Sequence, residues 1–146
     1  MIVEPLTEVT PERDACVPVR VATGERRPLV YLAGPYSSPD PVHNTHRTIR
    51  VADALLAAGF VPLIPHLTLA WHLVSPKRYD TLLDYDGELL ERCDAVLRIP
   101  GRSPGADGEA QHAESLGIPV IQPRSGNPSD CVAAVVNALS EEGGRR

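Results

Sequence analysis

Asp94-Ala-Val-Leu-Arg-Ile-Pro-Gly-Arg-Ser-Pro-Gly-Ala-Asp-Gly-Glu109 packs a strand, a loop and a helix start into one short stretch. Ala95 to Ile99 is an apolar run broken by one Arg, the pattern of a buried strand. The following residues are Pro, Gly and Ser with Arg102 among them. Ser103 before Pro104 predicts a helix entry, because Ser caps free N–H groups and Pro tolerates the first helical position. A helix opening from the end of a strand is a ready anion site. Glu109 falls about one turn inside that helix. Backbone that accepts phosphate beside a carboxylate points to chemistry on a nucleotide or sugar.

The same alternation extends in both directions. Leu29 to Ala33 predicts a strand that ends at Gly34-Pro35. Ile49, Ala52, Leu55 and Leu56 recur at helical spacing, and Gly59 closes that helix. Phe60 to Ile64 predicts the second strand despite Pro62, and Pro65 to Thr68 leaves it. Tyr79 to Cys93 predicts a helix, Asp94 to Ile99 the third strand, and Pro104 to Leu116 the helix stopped by Gly117. Ile118 to Ile121 predicts the fourth strand. A last helix over Ser129 to Leu139 turns Val132, Val135, Val136 and Leu139 inward. Repeated β-α-β order means a parallel sheet with helices on both faces. The expected fold class is therefore α/β, doubly wound and Rossmann-like; with the second strand flanking the first on one side and the third on the other, the order is 2-1-3-4. Ligands in such sheets bind at the carboxyl ends of the strands where the order reverses. Here that crevice lies between Gly34-Pro-Tyr-Ser-Ser38 and Gly101-Arg-Ser-Pro-Gly105.

Length and composition bound the rest. A chain of 146 residues is one domain by size, and 42% apolar residues is ordinary for a globular protein. Residues 1–27 carry Pro5, Pro11, Pro18 and many charges and read as an extension, although Val17 to Val21 alternates as a strand would. Residues 28–142 form the α/β domain and 143–146 a tail. A net charge of −5 argues against a nucleic-acid backbone as partner. Cys16, Cys93 and Cys131 have no metal or redox spacing, and a sparse, odd count suits a reducing cytoplasm. No signal peptide is expected, and no apolar run approaches the roughly 20 residues that cross a bilayer. His43 and His46 lack a third ligand in frame, so no metal is expected. Dinucleotide, P-loop and nucleophile-elbow motifs are absent.

Two carboxylates stand out. Asp86 falls on the apolar stripe of Leu82, Leu83, Leu89, Leu90 and Cys93. An inward carboxylate is costly unless paired, bonded or neutral, and burial raises its pKa, as suits a general acid. The alternative is that it caps a neighbouring loop. Glu109 lies near the stripe of Ala106, Ala110 and Ala113 and so either faces the crevice or simply answers the helix dipole, as Asp107 does better. Two acids at one crevice suit glycosidic-bond chemistry: one attacks the anomeric carbon and the other helps the leaving group depart. Tyr36 is placed to stack on a base or to pack its loop. Ser37, Ser38, Ser103 and the N–H of Gly105 are candidate polar contacts. Trp71, His66 and His72 follow the second strand as a lid or wall, or as core packing.

At these residues the chain resembles the nucleoside 2-deoxyribosyltransferase superfamily, with its 2′-deoxynucleoside 5′-phosphate N-hydrolases and CMP N-glycosidases. The resemblance rests on Tyr31-Leu-Ala-Gly-Pro-Tyr36, Leu83-Asp-Tyr-Asp86, Cys93-Asp94-Ala-Val and Ser103-x-Gly105-x-x-x-Glu109, within roughly residues 29 to 122. It implies a doubly wound domain, usually a dimer, that cleaves the bond between base and ribose. By resemblance Glu109 is the nucleophile and Asp86 the acid near base and sugar. Ser103 and Gly105 match the phosphate-contacting loop, and Gly34 and Tyr36 the opening that lines the base pocket. Where the nucleotide hydrolases often carry an Arg, this chain has Ser37-Ser38-Pro39-Asp40, with Arg47 or Arg102 as substitutes. The expected protein is a cytoplasmic N-glycosidase without cofactor, acting on a small nucleoside 5′-monophosphate or nucleoside. A deoxyribosyltransferase or a catalytically silent nucleotide-sensing module are the alternatives.

Overall fold

The computed structural model of the protein describes residues 26–143. Four parallel strands form one sheet: β1 (Leu29–Ala33), β2 (Val61–Leu63), β3 (Ala95–Arg98) and β4 (Val120–Ile121), in the order β2-β1-β3-β4. The helices are α1 (Pro41–Ala57), α2 (Thr68–Val74), α3 (Tyr79–Leu90), α4 (Pro104–Ser115) and α5 (Pro128–Gly143), with a 3-10 turn at Pro65–Leu67. This is the expected α/β architecture and strand order.

The period-two alternation of β1 divides the core. Val30 and Leu32 point to one face, where they meet Val51, Ala52 and Leu55 of α1 and Cys131 and Val135 of α5. Tyr31 and Ala33 point to the other, against Leu90 of α3 and Ala106 and Ala113 of α4. A strand apolar on both faces is what a sandwiched parallel sheet requires. Asp94 pins its base: Oδ2 accepts from the Leu29 N–H at 2.7 Å and Oδ1 from Arg26 at 2.6 Å.

Several boundaries move for identifiable reasons. β2 is shorter than Phe60 to Ile64; as an edge strand it tolerates Pro62, which cannot donate to a ladder. β4 loses Ile118, whose N–H instead donates to Ala113 O and closes α4, and Pro119. The predicted helix ending at Cys93 stops at Leu90, and Cys93 N–H closes a turn onto Leu90 O. α2 was not expected: none of its residues is buried, so it leaves no apolar period. Val136, expected inward, is 39% exposed, and Leu56, counted in the apolar period of α1, is 53% exposed. α5 runs through Gly143, the first residue of the expected tail. The expectations for residues 1–25 and 144–146, including a strand at Val17 to Val21, lie outside the described residues.

Candidate active site

The loops leaving β1, β2 and β3 at their carboxyl ends enclose a cavity of about 230 Å³. It stands where the chain reverses direction across the sheet, between β1 and β3. Gly34, Tyr36, Ser37 and Ser38 line it from the first loop. Arg102, Ser103, Gly105 and Glu109 line it from the third loop and α4. Every substrate-contact residue expected from the sequence is therefore on this cavity.

Local structure explains how the loops are held. Asp40 caps α1 by accepting from Val42 and His43 N–H groups. One turn later Asn44, buried, donates through Nδ2 to Tyr36 O at 2.9 Å and Ser38 O at 2.8 Å. Replacing Asn44 by Ala orphans two loop carbonyls, and urea unfolding is expected to show a loss of about 1–3 kcal/mol. Ser103 caps α4 through Ala106 N–H, with Pro104 at the first helical position. Gly101, at φ +135°, lets the two loops touch: a Cβ there would meet Pro35 Cγ at 2.6 Å. Gly105 leaves room for the Tyr79 hydroxyl, 2.9 Å from where its Cβ would stand.

Glu109 is half-buried and projects from α4 toward β1. The Tyr31 hydroxyl donates to its Oε1 at 2.7 Å. Burial pushes the Glu109 carboxyl up to about 7, against the opposing pull of the Tyr31 hydrogen bond and the Arg98 charge. Burial first, and then the Glu109 charge, also hold the Tyr31 phenol protonated well above its ordinary range. Arg98 pairs with Asp107 at 2.8 Å and donates to Gly101 O at 2.8 Å and to Ile99 O, so it stiffens the third loop as well.

Asp86 is 8% exposed, and its buried Oδ1 has no hydrogen-bond partner among the described residues. Burial, then the neighbouring Glu109 charge, push it up to about 7. Its field reaches Tyr31 and Tyr36 too, so the two acids sit on the α3/α4 face of the sheet as one electrostatic unit. Asp86 does not line the cavity of Glu109. It lines an adjacent hollow of about 350 Å³ behind Pro65 and Thr68. Among the described residues Oδ1 caps no loop.

His66 is buried, and its Nε2 lies 2.8 Å from Pro35 O. A carbonyl only accepts, so Nε2 carries the proton; burial lowers the pKa and keeps the ring neutral. Its ring meets Tyr36 edge-on at 5.7 Å. Trp71, by contrast, is 45% exposed and is no core residue. His43 and His46 are exposed, and no group of three or more metal-ligating side chains occurs among the described residues. No described helix is long and apolar enough to cross a membrane.

The sequence reading gave no role to Tyr31, Arg98, Asn44 or Tyr79. Tyr31 left one signal: a Tyr inside a buried strand must find a partner for its hydroxyl. The other three act through loop geometry that spacing does not encode.

Residues 28–122 match the model of a family described as "Domain of unknown function (DUF7768)". No curated protein matches the chain. Among solved structures, one similar chain is a 2-desoxiribosyltransferase from Leishmania mexicana, 22% identical, with a TM-score of 0.49. The overlap covers 65% of this chain and 63% of that one, so the chain spans less than two thirds of that relative's length.

Proposed function

We propose that this chain, which belongs to the DUF7768 family, is an N-glycosidase that cleaves the base–ribose bond of a nucleoside 5′-monophosphate or nucleoside. The observation that carries the reading is half-buried Glu109 on a switch-point cavity with buried Asp86 on the adjacent hollow, both pushed up to about 7. The Tyr31 hydroxyl and the Arg98 charge favour an ionised Glu109. No comparable contact among the described residues favours an ionised Asp86, so in this reading the proton that the reaction needs is carried by Asp86.

In this reaction the Glu109 carboxylate attacks C1′ as the C1′–N bond breaks. The bond's electron pair stays on the base nitrogen, which takes a proton from Asp86 or from water. Water then attacks C1′, releases Glu109 and returns a proton to Asp86. A base in place of water would make the protein a deoxyribosyltransferase. Two carboxyl groups and Tyr31 supply this chemistry without a cofactor. Glu109 lines the cavity and does not turn outward, which favours an enzyme over a silent ligand-binding module. A cytoplasmic homodimer belongs to the same reading.

Chromatography for free base, after incubation with a panel of nucleotides and nucleosides, tests the activity. No base from any of them would overturn it. The 5′-phosphate is assigned to Ser103, the Gly105 N–H and Arg102, at the positive end of α4. The monophosphate is then expected to exceed its nucleoside in kcat/KM by at least about tenfold, or roughly 1.4 kcal/mol. Equal rates would leave Ser103 as a helix cap only.

A further inference from the structure

α2 is a helix of 7 residues that buries none of them. A helix so short has little stability of its own and depends on packing. Its apolar side chains instead face outward: Leu73 is 72% exposed and Val74 88%. Trp71 meets Tyr85 edge to face at 5.3 Å, which carries the apolar surface onto α3, where Tyr79 and Leu83 are exposed as well. A contiguous exposed apolar strip marks an interaction surface.

Glycines in α3 and α4 extend that surface. Gly87 lies inside α3 and Gly108 inside α4. A Cβ on either would meet nothing beyond its own turn of helix within 4 Å. The chain's own packing therefore requires neither glycine, and Gly is a poor helix former. Glycine suits a position where another body approaches the backbone closely. Gly87 stands one turn from Leu83 and from Glu91, and Gly108 one turn from Gly105 and from His112. The Tyr79 hydroxyl over Gly105 and the Glu91–His112 pair at 3.1 Å join the two helices at either end, and between these contacts their backbones are bare.

Charge identifies what covers this face. Lys77 and Arg78 stand just before and at the start of α3, and Asp84 and Glu88 lie along its exposed side. A chain of net charge −5 repels its own copy unless the meeting surfaces are arranged to attract. Here a two-fold axis between the basic and the acidic ends brings unlike charges together twice. Lys77 lies over the Trp71 ring at 5.6 Å, and Arg78–Asp80 and Arg92–Glu88 are exposed local pairs. Exposed pairs are worth little, so these charges are free to exchange partners.

We propose that the α2–α3–α4 face binds a second copy of this chain about a two-fold axis. The inference rests on the homodimer of the reading above and not on its glycosidase chemistry.

Sedimentation velocity of the full chain, from nanomolar to micromolar concentration, is expected to show a dimer that dissociates on dilution. Gly87→Gln adds a side chain where the chain itself leaves room. It should keep the far-UV circular dichroism and weaken the dimer at least about tenfold. Lys77→Glu and Asp84→Lys should each weaken the dimer by setting like charges together. An equimolar mixture of those two variants restores both unlike contacts and should pair at least about fivefold more tightly than either variant alone. A monomer at every concentration overturns this face and the homodimer together. A dimer that Gly87→Gln leaves unchanged, or a mixture no tighter than its components, overturns this face and leaves the homodimer standing. Base release enters none of these readouts, so the glycosidase is judged separately.

Discussion

Glu109→Ala is expected to cut base release by at least about 10⁴-fold, because a covalent route loses its nucleophile outright. The nearest other acid of α4, Asp107, is committed to Arg98 and cannot replace it. The fold should survive. Truncation removes a carboxyl whose burial is already unfavourable when charged, which offsets the loss of the Tyr31 hydrogen bond. The net change should stay within about 2 kcal/mol by urea unfolding. Glu109→Gln separates the two roles further. Its amide oxygen still accepts from Tyr31, yet it cannot attack C1′. Single-turnover chromatography on both variants decides the matter, and turnover near the wild-type rate in either removes Glu109 as nucleophile.

Asp86→Asn is expected to slow base release by about 10²–10⁴-fold while raising stability at alkaline pH. The rate loss follows from the missing proton donor, and the pH profile identifies it. Wild-type kcat/KM should fall below about pH 7 as Glu109 takes up a proton, and above it as Asp86 loses one. In the variant the alkaline fall disappears and the acid fall remains. Stability follows from linkage. The folded-state pKa of Asp86 is raised from 3.8 to about 7, so the native state binds its proton more tightly than the unfolded chain does. That contribution is fully present below pH 4 and is lost as pH rises through about 7. Asn carries no charge to bury, so the variant should melt on the order of 5 °C above wild type at pH 8, with the gap closing toward pH 4. A Tm difference independent of pH would show that Asp86 is not buried as a titrating acid.

Sequence periodicity made the sheet legible because each strand is apolar and bounded by Pro or Gly. β1 was readable to the residue, and the order 2-1-3-4 matched once the second and third strands were set on opposite sides of the first. What periodicity could not show was α2, whose residues bury nothing and so have no face to mark. The same blindness hid the second hollow, since Trp71 follows a strand and resembles a packing residue in one dimension. The two acids were legible for opposite reasons. Asp86 is the wrong residue for its stripe, and Glu109 is one turn inside a capped helix beside a strand end. Tyr31 signalled only that its hydroxyl needs a partner, and only the third dimension identifies that partner as Glu109, 2.7 Å away.

The contact between Gly101 and Pro35 couples the two walls of the site. A side chain at position 101 would meet a rigid pyrrolidine ring on the opposite loop, and its φ of +135° disfavours any residue but Gly. The loops are therefore a single module for anyone wishing to alter specificity. Randomising Ser37 and Ser38 alone leaves this seam intact. Grafting a foreign first loop without a proline at position 35 would open it and let Arg102 and Ser103 drift with it. Directed evolution of a new substrate range should accordingly vary both loops together around a fixed Pro35–Gly101 hinge pin.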